Sequence, residues 1–425
     1  METHLAQWLR GTAEGTEAEA ILRRCVHCGF CTATCPTYQL LGDERDSPRG
    51  RIYLIKAVVE GEVPGPSTRD HLDRCLTCRN CETTCPSGVQ YGRLVDIGRE
   101  LVERQVQRPL GQRLLRGLLR ETLTRPAVFG PAMRLGQMVR PLLPARIRDK
   151  VPARRPAGAW PSGDHRRRVL MPAGCVQPSM MPSIDAACAR VLDRLGVSVI
   201  RPASAGCCGA IRQHLSDAEG ARDDARRNIA AWWPFIEQGV EAILINASGC
   251  TVMIKDYAHL LRDDPQWADR AAQVVDLVRD MSEWLPAELE RRWQDQGLPD
   301  PDPSIESKVV FHPPCTLQHG QQQRGAVERV LAALGARPSP VTDSHMCCGS
   351  AGTYSVLQPE LSAQLRARKL EHLQAQAPAT ILSANIGCIA HLQAGTETPV
   401  RHWVEWLDAL GDAIRPKSSP RNGLG

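Results

Sequence analysis

The stretch "CVHCGFCTATCP", residues 25–36, recurs as "CLTCRNCETTCP", residues 75–86. Both read C-x2-C-x2-C-x3-C-P. Together they hold eight of the 17 cysteines in a chain of 425 residues. The opening segment, "METHLAQWLRGTAEGTEAEA", is polar and lacks the apolar core of a secretory signal. No run of eighteen apolar residues occurs, so no helix is expected to span a bilayer. A cysteine-rich chain without an export signal is expected to use its thiols for metals in a reducing compartment, not for disulfides.

The spacing is that of the bacterial ferredoxin run, whose fourth cysteine ligates the neighbouring cluster when two are present. Three thiolates on a tight turn reach three irons of one cubane. The fourth, followed by proline, leaves that turn. The expected ligand sets are therefore crossed: Cys25, Cys28, Cys31 and Cys85 for one [4Fe-4S] cluster, and Cys75, Cys78, Cys81 and Cys35 for the other. Two zinc sites would also use eight thiolates, but zinc motifs set C-x2-C pairs across longer spacers. Small ferredoxins join their runs by a short, strand-bearing stretch. Here residues 37–74 intervene, including "SPRGRIYLIKAVVEGE". Ser47 is a fitting N-cap with Pro48 at the first helical position. Ile52, Ile55, Val58 and Val59 recur at helical spacing. "STRDHLDRC" reads as a further helix. Residues 1–100 are thus expected to form an α-helical ferredoxin module.

On these residues the chain resembles the iron–sulfur subunits of bacterial glycolate oxidase. "CVHCGFCTATCPTYQLLGDERDSPRGRIYLIKAVVEG" and "HLDRCLTCRNCETTCPSGVQYGRLVDIGR" carry the likeness, which continues to "HWVEWLDAL" near the C-terminus. The resemblance implies a peripheral complex on the cytoplasmic face of the inner membrane. In it, FAD-binding subunits oxidise glycolate to glyoxylate, and this subunit carries electrons from flavin toward a membrane acceptor, quinone. Similar subunits serve lactate and glycerol-3-phosphate systems, so substrate identity is expected to reside in the flavoprotein.

Residues 101–168 read as a basic connector. Residues 101–170 hold sixteen Lys plus Arg against four Asp plus Glu, a local net charge of 16 − 4 = +12. Leu110, Leu114, Leu118 and Leu119 share a helical face, with Arg113, Arg116 and Arg120 largely on another. The pattern suits a helix lying on an anionic membrane, a docking face for an acidic partner, or an inter-domain helix with a solvated basic side. No aromatic residues interleave the arginines, so nucleic acid is not an expected partner.

The remaining cysteines expose an internal repeat. The first copy, residues 169–300, places Cys175, then "GCCG" with Cys207 and Cys208, then Cys250. The second, residues 301–425, places Cys315, Cys347, Cys348 and Cys388. Each copy reads as alternating strands and helices: strand "RRVLMPAGC" to Cys175, helix "SIDAACARVLDRLG", strand "VSVIRP", a helix capped by Ser216 and Glu219, and strand "EAILINASGC" to Cys250. In the second copy "KVVFHPPC", "RPSPVT" and "ATILSANIGC" are the expected strands. The fold class is therefore a helical two-cluster module followed by two tandem α/β repeats with cysteines at strand ends, where open α/β sheets place ligands. Glycine after each cysteine pair permits close backbone approach or positive φ.

This half resembles the cysteine-rich CCG domain of heterodisulfide reductases, whose motif ends in C-x2-C. Ala247 and Asn385 stand where the first cysteine of that pair would be. Four thiolates per repeat can hold a further iron–sulfur cluster or a zinc ion, form a redox dithiol, or stay inert as a docking scaffold. Cys188, on a helix face, reads as core. His214, His312, His319 and His345 flank the motifs as candidate ligands, proton carriers or loop caps. No G-x-G-x-x-G opens a βαβ unit and no P-loop occurs, so flavin and nicotinamide are expected on partners. The rival reading is a thiol–disulfide reductase acting through a cluster.

Overall fold

A computed structural model describes residues 1–298 and 308–414. The repeat boundary drawn at 300/301 and the tail 415–425 lie outside the described residues. The N-terminal module is helical, with no strand among its described residues. Helices Ala13–Arg24, Pro48–Val59, Pro66–Asp73 and Tyr91–Gln105 surround one core. The Ser47 side chain accepts from Gly50 N and Pro48 occupies the first helical turn, as the sequence indicates. Ile52, Ile55, Val58 and Val59 are all buried.

Next come helices Leu110–Leu123 and Pro126–Met138, and then residues 152–165 without regular structure. The leucine side of helix Leu110–Leu123 is the more exposed one, though Arg113 is exposed as well. Leu110, Leu114 and Leu118 are 72%, 73% and 61% exposed. Arg116 instead turns toward Asp73, and Arg120 toward Glu121 and Asp217. Asp73 and Asp217 of the neighbouring domains draw Arg116 and Arg120 toward them, and the leucines lie outside.

The C-terminal half contains two parallel sheets, as expected. Strands β1 (Arg167–Leu170), β2 (Val197–Ile200), β3 (Ile243–Ile245) and β4 (Val278–Asp280) lie in the order β2-β1-β3-β4. Strands β5 (Val309–His312), β6 (Thr380–Ser383) and β7 (Val400–His402) lie in the order β5-β6-β7. The expected strand "RPSPVT" is absent. Pro338 and Pro340 supply no ladder donors, and one backbone bond, Ser339 N to Val309 O, survives there.

The repeats share a core rather than keeping one each. Helix Pro182–Arg194 of the first packs on Trp403–Ala409 of the second, and helix Met281–Gln296 of the first packs on Ala326–Ala333 of the second. The pairing is reciprocal and reflects a repeat that cysteine alignment overlooks: "VRDMSEW" at 278–284 answers "VRHWVEW" at 400–406. Each opens a helix with a capping box, Asp280 with Glu283 and His402 with Glu405. Each capping side chain also crosses to the other repeat: Asp280 accepts from Gln321 Nε2, and His402 Nε2 meets Asn246 O.

Three further details differ from the sequence reading. Ser216 sits at φ +61° and is not the cap; Asp217 accepts from Gly220 N instead. β1 ends at Leu170, so Cys175 lies in the loop beyond it. Cys250 and Cys388 lie in the first turns of helices Ser248–Lys255 and Ile386–Gln393, not on the strands.

Candidate metal centres

Each ferredoxin-type run wraps its space through paired left-handed residues. His27 (φ 56°) and Gly29 (φ 83°) alternate with Cys25, Cys28 and Cys31. Thr77 (φ 52°) and Arg79 (φ 58°) do the same between Cys75, Cys78 and Cys81. Non-glycine residues in this region are strained. The conformation recurs at matching positions because it turns three sulfurs toward one point. Thr77 N donates to Cys75 Sγ at 3.4 Å.

Cys25, Cys28, Cys31 and Cys85 line one small cavity, which Cys81 also borders. Cys35 is brought to the second run by a buried polar network that sequence patterns did not reveal. The Cys35 thiol meets Thr37 Oγ1, and Arg51 Nη1 donates to the same hydroxyl. Arg51 Nη2 and His71 Nδ1 both reach Asp46 Oδ1, at 3.2 and 3.0 Å, while Arg74 Nη1 donates to Asp46 Oδ2. Asp46 thus ties the segment after the first run to the helix that delivers Cys75. Asp46 and Arg51 are essentially inaccessible to solvent, so removing one would strand the other's charge.

The residues fit iron–sulfur clusters. All 17 cysteines are free thiols. Burial, with Cys25 and Cys28 beside it, pushes the Cys31 thiol up to about 11. Burial also drives Cys78 and Cys81 well above the ordinary thiol value. Such groups become thiolates only where a cation repays their desolvation, as iron does.

The eight repeat cysteines converge. All line one cavity of about 630 Å³, and Cys78 of the ferredoxin module lines it too. Within each repeat the thiols form one string. Cys207, Cys208 and Cys250 each neighbour the thiol before them closely enough to push it up, from Cys175 through Cys208. Cys315 Sγ donates to Cys347 Sγ at 3.8 Å, and Cys348 and Cys388 push up the thiols of Cys347 and Cys348 in the same way. The glycine after each pair serves both anticipated purposes. Gly209 and Gly349 have φ of +91° and +89°, and each N–H donates to the first cysteine of its pair at 3.4 Å. A Cβ on Gly349 would stand 2.6 Å from Ser362 O. Cys188 is buried core, with Asn246 Nδ2 3.6 Å from its sulfur.

The histidines divide. His319 joins the module to the second repeat: Nε2 donates to His345 O at 2.8 Å, and Nδ1 faces Thr83 Oγ1 at 2.9 Å. Asn80 Nδ2 also donates to His345 O. His214 lines the cavity, and burial pulls it to about 4. His312 lies beside Cys348 and Cys388. Two partners of the second thiol set were not anticipated. Lys369 is buried near Cys348 and Cys347, and its ammonium donates to Asp343 O and Ser344 O. Asn385 Nδ2 is 3.5 Å from Cys388 Sγ. Lys369 belongs to no cysteine motif, so only the folded chain brings it forward, whereas Asn385 holds the place of the cysteine that the CCG motif would have there.

Comparison with known proteins agrees with this geometry. Residues 21–89 match the family described as 4Fe-4S dicluster domain. Residues 169–255 and 309–393 match the CCG family, described as Cysteine-rich domain. The chain is 52% identical over 409 residues to the "Glycolate oxidase iron-sulfur subunit" of Escherichia coli (strain K12), covering 96% of this chain and 98% of that protein. It is 32% identical over 408 residues to the "Probable glycolate oxidase iron-sulfur subunit" of Bacillus subtilis (strain 168), covering 89% and 90%. "Lactate utilization protein A" of Bacillus subtilis (strain 168) is 25% identical over 219 residues, 51% of this chain and 87% of that protein.

Proposed function

The chain belongs to the family of glycolate oxidase iron–sulfur subunits, and from that premise we propose that it accepts electrons from FAD-binding partner subunits that oxidise glycolate to glyoxylate and passes them toward a membrane quinone. The carrying observation is that Cys78 borders the same cavity as all eight repeat cysteines. Sulfur sites therefore run without interruption from the dicluster module into the C-terminal half. Bound clusters supply one-electron steps; the chain's own residues fix where those steps begin and end. Cys25, Cys28, Cys31 and Cys85 hold one cluster in this reading, and Cys75, Cys78, Cys81 and Cys35 hold the other.

Attachment to the membrane is peripheral. No helix among the described residues is long and apolar enough to cross a bilayer. The exposed leucines of Leu110–Leu123, set in the basic connector, suit the surface of an anionic leaflet.

The test uses the assembled complex. Glycolate should bleach the flavin and reduce a soluble quinone analogue; lactate should do neither. Cys35→Ser should alter the paramagnetic resonance of the cluster held by the second run and spare that of the first. Quinone reduction should fall at least about tenfold with flavin bleaching intact, a barrier increase of about 1.4 kcal/mol. Loss of the first cluster's signal instead would refute the crossed ligand sets. Undiminished quinone reduction would refute the electron route.

A further inference from the structure

The two thiol strings are alike in sulfur and unlike in their surroundings. In the second repeat His312 is 1% exposed, and neither ring nitrogen has a hydrogen-bond partner. A buried imidazole with both nitrogens unsatisfied is costly, and native structures seldom leave one so. A ligand atom of His312, Cys348 Sγ and Cys388 Sγ lie within 4.8 Å of one another. The first repeat has no equivalent: Pro172 stands three residues before Cys175, where His312 stands before Cys315. Proline offers no side-chain ligand.

Charge follows the same asymmetry. Lys369 places a buried ammonium near Cys348, Cys347 and Cys315. The corresponding helix of the first repeat presents Asn228, a neutral amide, to Cys207 O. A positive charge there favours thiolates and an anionic centre in the second repeat, and the first repeat has no ammonium at that place.

We propose that the second repeat binds an iron–sulfur cluster and that His312 is one of its ligands, together with Cys348 and Cys388. Cys315 and Cys347 extend the set. Four successive sulfurs and an imidazole exceed what a single tetrahedral ion accepts, whereas adjacent cysteines can serve different irons of one cluster. Cys315 and Cys78 pack against one hydrophobic cluster and line one cavity, so the centre adjoins the ferredoxin module. The first repeat has the same thiols but no imidazole at the place of His312 and no ammonium at that of Lys369, so it is not a second copy of this site. The inference does not depend on which substrate or flavoprotein supplies electrons.

The experiment is anaerobic purification of the full chain with its partner subunits, followed by iron and sulfide analysis and pulsed paramagnetic resonance of the reduced protein. Iron should exceed the about eight atoms of two cubanes, and one signal should show strong coupling to a histidine nitrogen. His312→Ala should lose that coupling and the excess iron. His312→Cys, which restores a ligand, should keep the excess iron and lose the coupling. Cys347→Ser with Cys348→Ser should lose both, while Cys207→Ser with Cys208→Ser should lose neither. In every variant the two ferredoxin signals report correct folding. Iron at the ferredoxin level in the parent protein, zinc in place of the excess iron, or nitrogen coupling that survives His312→Cys would each overturn the proposal.

Discussion

Two residues show how tightly single positions are held. Gly349 must keep a positive φ while Ser362 O stands where a Cβ would go. Gly349→Ala should therefore cost about 1–2 kcal/mol from the backbone alone, and more from that overlap. Gly209→Ala should cost less, because its nearest obstacle, Ala221 O, is 3.1 Å away; thermal denaturation of the two variants should rank them in that order. His402 is fully buried: Nδ1 accepts from Val404 N at 3.2 Å, and Nε2 donates to Asn246 O at 3.1 Å. Burial pulls it from the usual 6.5 to about 4. The unfolded chain then binds the extra proton between those values, so stability rises with pH through that window and is lost as pH falls from 6.5 toward 4. The slope should be about 1.4 kcal/mol per pH unit for one such group. His402→Asn, which retains a capping side chain, should flatten the dependence of melting temperature on pH by that amount; an unchanged slope would show that His402 does not titrate there. The eight N-terminal cysteines were legible because one short chain segment sets their spacing. Asp46, Arg51, His71 and Lys369 were not, because their roles come from partners far away in sequence.

At the scale of elements, periodicity gave the helices and prolines explain the main failure. "RPSPVT" carries the β-branched character of a strand, but two prolines deny it the ladder. The sheet of the second repeat consequently begins at β5. Strand length was overestimated at Cys250 and Cys388, since a buried apolar run followed by a small residue and glycine does not mark where extended backbone turns helical. The placement has a consequence: each cysteine enters at a helix N-terminus, on the rim of the shared cavity. Helix Leu110–Leu123 was legible as amphipathic, but which side faces out depended on Asp73 and Asp217 elsewhere in the fold. With its leucines outward, the helix should bind anionic vesicles. Leu114→Glu should weaken that binding at least about tenfold, a loss of about 1.4 kcal/mol, within the transfer energy of a buried leucine. Vesicle sedimentation should also show release as salt rises. Binding to neutral and anionic vesicles alike, unmoved by Leu114→Glu, would reject the leucine face as a membrane contact.

At the scale of the molecule, the shared core of the repeats fixes the cavity, and the ferredoxin module completes its lining. Several contacts fasten the module around that opening. Arg79 Nη2 pairs with Asp256 Oδ2 at 2.8 Å, Thr83 meets His319, and Tyr354 Oη donates to Arg74 O at 3.1 Å. Arg79 lies in the loop between Cys78 and Cys81, so its pairing with the first repeat positions the second cluster against the cavity. The sequence reading foresaw two α/β repeats with cysteines at their strand ends, but not that the module would sit upon the cavity they line, because no motif records a contact between residues 79 and 256. The contact gives the whole-molecule reading a separable test. Asp256 is only partly exposed, and its carboxylate is the partner that holds Arg79. Asp256→Asn keeps the shape and removes the charge. Clusters should assemble normally, since Asp256 touches no cysteine of the two runs, and iron content and resonance should match the parent. Reduction of a quinone analogue by the glycolate-driven complex should slow several-fold, and raising ionic strength should slow the parent more than the variant, because only the parent has a charge pair to screen. If the variant keeps its iron and transfers electrons at the parental rate, the Arg79–Asp256 pair is a surface contact without influence on the route, and the position of Cys78 at the cavity must be secured by Thr83 and Tyr354 instead.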